Sequence, residues 1–256
     1  MKFIIVNTFF IIFSILILIY CFVYNSNYFL LLIPFILWLI ATSFGAFEIR
    51  LNYFLSAFNK GKTQEKMIAL TFDDGPTEFT PRILEILKKN NAKATFFCIG
   101  NQVKKYPEIL NLAFQSGHII GNHTLYHSPQ NGFYSTSKIL DEISSTDQII
   151  QQIIQQNPKL FRPPFGVTNP HIAKAIKQTQ HNVIGWDVRS LDTVIEDESK
   201  LYNRITKQIK PGSIILMHDT SDKTANVLEQ LFVFLQQENY KVVSLEQLLN
   251  IEVYEN

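Results

Sequence analysis

No charged residue occurs between positions 3 and 47. Few features constrain a fold as strongly. A bilayer core offers the backbone no water, so a single segment that crosses one does so as a helix. Residues 3–24 are long enough to cross, and residues 28–47 are long enough to cross again. Asn25-Ser26-Asn27 stands between them as a short polar turn. A transmembrane hairpin over residues 1–47 accounts for all three pieces. Pro34 falls inside the second span, where lipid-embedded helices tolerate it. A cleaved signal peptide, with Lys2 as its basic end, accounts for less. The first apolar run exceeds the usual length, no small-residue cleavage site follows it, and a second span comes at once.

This apolar head is where the shortage of charge, 18% of the 256 residues, is concentrated. The net charge of +1 offers no electrostatic footprint for nucleic acid. Cys21 lies in the first span and Cys98 in a predicted strand, so no disulfide framework is implied. Cys98 reads as a small buried hydrophobe. Residues 48–65 form a connector in which Leu51, Phe54, Leu55 and Phe58 recur at helical spacing. Such a stretch lies along a membrane surface or packs on the domain that follows.

From Lys66 onward the pattern alternates. Strands are predicted over 66–72, 94–99, 118–121, 160–161, 182–188, 213–217 and 241–244. Helices are predicted over 80–90, 107–115, 137–156, 169–179, 200–209, 225–237 and 245–249. About seven β/α units in series place the chain in the α/β class, with a parallel sheet and outer helices. Their number points to a distorted (β/α)7-type barrel over residues 66–250, preceded by the helical hairpin.

The chemistry-bearing residues fall at predicted strand ends. Leu70-Thr71-Phe72-Asp73-Asp74-Gly75-Pro76 puts two carboxylates where a buried strand gives way to a turn. Carboxylates that close repel, and one must be neutralised, metal-bound or paired with a cation. Asp-Gly-Pro is also ordinary turn chemistry, so the pair needs partners to mean more. His123-Thr124-Leu125-Tyr126-His127 supplies two histidines at i and i+4, which face the same way if the segment is helical. With a carboxylate from another strand end they form a two-His, one-carboxylate set that suits zinc. In Arg162-Pro163-Pro164-Phe165-Gly166 the arginine can hold one aspartate ionised. Leu216-Met217-His218-Asp219 brings a further histidine, the usual proton donor near neutral pH. Asp192 can tune that histidine, and Asp187 is a second candidate for the role.

Together, residues 71–76, 123–127 and 162–166, Asp192 and residues 216–219 resemble, in order, the motifs of the polysaccharide deacetylase family, the NodB-like domain of carbohydrate esterase family four. The resemblance spans roughly residues 66–249. It implies a distorted β/α barrel and a metal-dependent amidase acting on N-acetyl groups of sugar polymers. By position, it implies that Asp74, His123 and His127 hold a divalent metal, usually zinc. Asp73 would be the general base, fixed by Arg162, and the Phe165 backbone N–H would serve the oxyanion. His218 would protonate the leaving amine, tuned by Asp192. The choice of Asp73 over Asp74 as base comes from the resemblance and not from spacing.

Three positions depart from the family's habit: Thr193 stands where tryptophan is common, Phe165 where tyrosine is, and Ile119 where glutamate is. The first removes an aromatic wall on the acid side. The expected function is a membrane-anchored de-N-acetylase of a peptidoglycan- or chitin-like glycan, bound to the bilayer through residues 1–47. A lipid-linked sugar or a small amide is the alternative substrate. A non-catalytic glycan-binding module is disfavoured by the intact motif residues. Such polymers place the catalytic domain outside the cytoplasm. Arg50, Lys60, Lys62 and Lys66 after the second span lean the other way.

Overall fold

The computed structural model describes residues 2–255. Met1, the first residue of the expected hairpin, and Asn256 lie outside the described residues. Helix α1 (Lys2–Val23) and helix α2 (Leu32–Phe47) pack on each other. A 3-10 turn at Tyr28–Leu31 leads into α2, and the Asn27 side chain caps it by accepting from Phe29 N at 2.9 Å. Pro34 therefore sits in the first turn of α2, where an amide has no intrahelical partner to lose. Trp38 Nε1 donates to Asn7 Oδ1 at 2.7 Å and ties the two helices together. Residues 2–23 and 28–47 are each long and apolar enough to cross a membrane. Of their most apolar stretches, 0% and 11% is buried, so neither is a core helix.

The connector is not an amphipathic helix. Beyond a 3-10 turn at Ile49–Leu51 it is irregular, with Asn52 in the left-handed region. Its apolar residues are buried all the same: Ile49, Tyr53, Phe54 and Leu55 are each at most 7% exposed. Phe58 N donates to Val183 O and Gly185 N to Phe58 O, while Gly61 N reaches Gly212 O. The segment thus fills the seam between the two ends of the sheet. Of the four residues at helical spacing, Phe54 and Leu55 are buried in the domain without a helix, while Leu51 is half-buried and Phe58 is exposed and joins the sheet through its backbone.

The remainder alternates. In chain order the elements are β1 (Met67–Asp73), α3 (Thr80–Lys89), β2 (Thr95–Cys98), α4 (Gly100–Lys105), α5 (Pro107–Gln115), β3 (Ile119–Asn122) and α6 (Thr136–Ile154). They continue with β4 (Leu160–Phe161), α7 (Pro170–Thr179), β5 (Asn182–Val183), β6 (Val188–Arg189), α8 (Glu198–Thr206) and β7 (Ile214–His218). The last are α9 (Asp222–Gln237), β8 (Lys241–Val242) and α10 (Leu245–Leu249). The pairings between these strands are all parallel, in the order β5-β4-β3-β2-β1-β7-β6, with β8 beside the start of β1. The sheet is curled into a partial barrel with helices outside. The run 182–188 divides into two short strands because Gly185 and Trp186 leave the ladder to pack against the connector and the cleft.

The helices follow from their apolar faces. In α3, Pro81 opens the helix and Ile83, Leu84, Ile86 and Leu87 are buried. Each such side chain contributes about 1.5–3 kcal/mol on burial. Cys98 is a free, buried thiol inside the core. Every strand of this sheet points its C-terminal end the same way, and open α/β sheets carry ligands at that end.

Candidate active site

Strand β1 is buried along nearly its whole length. Residues two apart share a face, so Thr71 and Asp73 both point toward Arg162. Arg162 is 0% exposed. Its Nη1 donates to Asp73 Oδ1 at 2.6 Å and Thr71 Oγ1 at 2.8 Å, its Nε to Ile184 O and its Nη2 to Gly185 O. Four acceptors, two on β1 and two on the link after β5, hold the guanidinium, which is why a charge can be buried here. Burial pushes the Asp73 carboxyl above its usual range, and Arg162 opposes that shift.

Asp74 follows in the left-handed region, with φ of 75°. Gly75 is required next. A Cβ there would lie 2.2 Å from Asp219 Oδ2. Asp219 is fully buried beneath the turn, accepts from Thr80 Oγ1 at 2.5 Å, and is pushed up to about 7 by burial. The Thr77 hydroxyl also donates to the Asp219 backbone oxygen. Asp219 is thus the brace of the turn that carries the two aspartates.

The two histidines converge without a helix. Residues 123–127 form an irregular loop in which Thr124 and His127 have φ of 66° and 47°. The loop is held from behind. Asn122 Oδ1 accepts from Thr124 N at 2.8 Å, and its amide donates to Ile143 O and Asp147 Oδ1. Glu142, 1% exposed, accepts from the amides of Leu125 and Tyr126, both at 3.0 Å. Glu142 was missed in the sequence. Its signal was an acid on the core face of α6, between Ile139 and Ile143.

His123 Nδ1 donates to Arg162 O at 2.7 Å, which leaves Nε2 as a lone-pair donor. Burial holds this ring neutral, its pKa lowered to about 3. Asp74 Oδ1 lies 3.5 Å from both His123 Nε2 and His127 Nε2, and it has no protein partner. Donors around a tetrahedral ion with ~2.0–2.2 Å bonds stand ~3.3–3.6 Å apart. A buried, orphaned carboxylate oxygen at that spacing from two imidazole nitrogens fits a divalent cation.

Phe165 occupies a 3-10 turn, with φ of 60°. The next two amides, Gly166 and Val167, are consumed by Pro163 O and Pro164 O. Among the described residues the Phe165 amide has no protein acceptor. The Phe165 ring lies 4.5 Å from that of His127.

On the opposite side, β1 and β7 pair with Asp73 in register with His218. His218 Nδ1 donates to Asp192 Oδ1 at 2.7 Å, and Asp192 Oδ2 accepts His218 N at 2.7 Å. Ser190 and Thr224 hydroxyls complete the carboxylate's shell. Burial disfavours the imidazolium, but the Asp192 hydrogen bond and charge outweigh it and raise His218 to about 9. Asp192, also buried, is held below its usual range by the same pairing. Asp187 does not take this role: it accepts from Ser213 Oγ and Ile214 N at the far end of β7.

Asp73, Asp74, His123, His127, Phe165 and His218 border a cleft of about 210 Å³, walled further by Trp186, Arg189, Leu191, Thr193 and Leu216. Trp186 fills the space over Gly166, where a Cβ would meet its ring at 2.5 Å. The structure thus brings Asp73, Asp74, His123, His127, Arg162, Phe165, His218 and Asp192 to one end of the sheet.

Comparison with known proteins agrees with this arrangement. Residues 60–184 match the polysaccharide deacetylase family. The chain is 33% identical over 198 residues to peptidoglycan-N-acetylmuramic acid deacetylase PdaA of Bacillus subtilis, covering 75% of each chain. It superposes on the Bc1960 peptidoglycan N-acetylglucosamine deacetylase with a TM-score of 0.73 and 30% identity, covering 77% of this chain and 94% of that one. It also superposes on a CE4 family pseudoenzyme from Bacillus anthracis, with a TM-score of 0.70 and 32% identity over 75% of this chain and 68% of the other.

Proposed function

The chain belongs to the polysaccharide deacetylase family, and on that premise we propose that it hydrolyses N-acetyl groups of amino sugars in a peptidoglycan-like glycan, anchored to a bilayer through residues 1–47. The observation that carries the reading is the orphaned Asp74 Oδ1 between His123 Nε2 and His127 Nε2, with Asp73 and His218 on either side. Asp74, His123 and His127 would hold the cation, zinc by the chemistry of the donor set. When bound, it supplies an acidified water and a positive charge facing the acetamide carbonyl.

The remaining steps belong to the chain. Asp73, aimed by Arg162, accepts the proton of the attacking water at Oδ2, the oxygen not engaged by the guanidinium. The Phe165 amide, free in its turn, donates to the oxygen that becomes negative. His218 Nε2 gives its proton to the sugar nitrogen as the carbon–nitrogen bond breaks, leaving acetate and a free amine. Asp192 keeps the donor charged until then. The Trp186 and Leu216 walls narrow the entry, and Thr193 leaves the acid side wider than an aromatic residue would. The intact set of donors, base and acid supports an enzyme over a non-catalytic binding module.

The reading is tested with the full-length protein in detergent, stripped by chelation and reloaded with zinc. Acetate release is followed from peptidoglycan, chitooligosaccharides and a small acetamide. Zinc-dependent release from a glycan is expected. Stoichiometric metal without release from any of them overturns the proposal. A fragment starting near residue 60 is unsuitable, because Ile49, Tyr53, Phe54 and Leu55 are part of the core.

The pH profile isolates the acid. A raised His218 is protonated below its folded pKa and loses that proton as pH rises, so kcat is expected to fall on the alkaline side, at or below about 9. A bound cation would draw this limb downward. Asp192→Asn removes the strongest force holding the proton, so the limb is expected to move toward ordinary histidine values near ~6.5. An unmoved limb would assign the acid elsewhere.

A further inference from the structure

The first residues beyond the apolar hairpin pack directly behind the wall of the cleft. Ile49, two residues after the end of α2, is 2% exposed. A Cβ on Gly185 would stand 3.3 Å from Ile49 Cγ2, and Trp186, the next residue, lines the cleft. On another side, Thr168 N donates to Ala46 O, in the last turn of α2, at 2.9 Å. Thr168 is three positions beyond Phe165, at most ~11 Å of chain. The start of α1 is held at the same place, Phe3 N donating to Tyr53 O. Both helices therefore leave the domain at the end of the sheet where the cleft opens. A headgroup layer is only ~5–8 Å deep, so the opening stands at the bilayer surface.

Two further features fit that placement. Phe133 is 92% exposed, on a loop tied down by Asn169 Nδ2 donating to Gly132 O at 2.7 Å. Asn169 follows Thr168, so this exposed apolar side chain is presented beside the end of α2. Arg189 lines the cleft mouth, its guanidinium 5.7 Å from the Trp186 ring. Its charge is felt at Glu48, whose own carboxylate is taken by Arg50 at 2.6 Å. Among the described residues Arg189 and Arg204 form no ion pair, whereas Arg50, Arg82 and Arg162 do; of the two, Arg189 lines the cleft. A cation thus stands unpaired between the bilayer and the cleft.

We infer that the cleft acts on an N-acetylated amino sugar held at the bilayer surface and carrying an anionic group, which Arg189 engages. The inference rests on the deacetylase reading and narrows its substrate to a membrane-tethered class. The anion is either the diphosphate of a lipid-linked sugar or a carboxylate on the sugar itself, since a guanidinium pairs with both.

The test uses the full-length protein in phosphatidylcholine vesicles, with acetate as the readout. Two substrates are embedded in the same vesicles: an N-acetylated disaccharide joined to a polyprenyl chain through diphosphate, and a carboxylate-bearing one on a neutral lipid. The same sugars without lipid, and neutral chitotetraose, are the soluble arms. At least one vesicle-borne substrate is expected to turn over roughly tenfold faster than its soluble counterpart, and the faster of the two identifies the anion. Arg189→Gln is expected to lower kcat/KM on that substrate roughly tenfold more than on chitotetraose, the worth of one charge-assisted hydrogen bond. Soluble sugars turned over as fast as tethered ones overturn the inference and leave the deacetylase reading standing. Equal losses on charged and neutral substrates in Arg189→Gln overturn the role of Arg189. Release from none of the substrates overturns the deacetylase reading itself.

Discussion

Asp73→Asn is expected to lower kcat by about 10²–10⁴-fold, the usual worth of a positioned general base, while the metal stays bound. Asparagine keeps the volume of the side chain and an oxygen for the Arg162 Nη1 bond. It cannot take a proton. The substitution also removes the charge that compensates a fully buried guanidinium, which costs on the order of 3–5 kcal/mol when a partner is simply deleted. The loss is expected to be smaller here, because Thr71, Ile184 and Gly185 still accept from Arg162. The measurement is kcat on an N-acetylated oligosaccharide, beside metal content and a thermal melt. Full metal occupancy with a folded protein and wild-type kcat would move the base elsewhere. Loss of metal would assign Asp73 to the ligand set instead.

The second large effect is expected from Asp74→Ala. Asp74 Oδ1 is the donor shared between the two histidines, so its removal leaves two imidazoles and an open face. Metal content is expected to fall to background, and activity with it. Thermal stability separates this from misfolding. A ligand that binds only the folded state stabilises it by about 2.7–4.1 kcal/mol at 100–1,000 times its dissociation constant. Wild-type protein should therefore melt higher with zinc than with chelator, and Asp74→Ala should melt alike in both. Alanine at a φ of 75° is itself unfavourable by about 1–2 kcal/mol. The variant is therefore compared with wild type under chelator. His127→Ala, at a φ of 47° and so under a similar backbone burden, is compared in the same way and should lose the same zinc-dependent rise. A retained rise in both would remove the cluster as a metal site.

Much of the fold was legible because each signal was local. The apolar runs of β1 and β7 and the 3.6-residue faces of α3, α6 and α9 need nothing beyond their own sequence to be recognised. The site residues were legible for a related reason: carboxylates, histidines and an arginine at the ends of apolar strands are costly unless they meet. What was not legible depended on distant partners. The connector shows helical spacing, yet Ile49, Tyr53, Phe54 and Leu55 are buried without a helix and Phe58 is held by its backbone to the sheet. His123 and His127 converge because Asn122 and the buried Glu142 fix a loop, and neither contact can be read from their i, i+4 spacing. In sequence Asp192 is the first candidate to tune His218 and Asp187 the second. Only the register of β7 places one beside His218 and the other at the opposite end of the strand.

The packing of the connector into the sheet seam bears on how the domain could ever be set free. In many anchored proteins a flexible stalk lets a protease shed an intact ectodomain. Here residues 49–61 supply core side chains and backbone bonds between the sheet's two edges. Cleavage within that stretch would open the seam beside Arg162 and Trp186. On the anchored reading proposed above, release and loss of the catalytic end would then be one event, and shedding would act as an off switch.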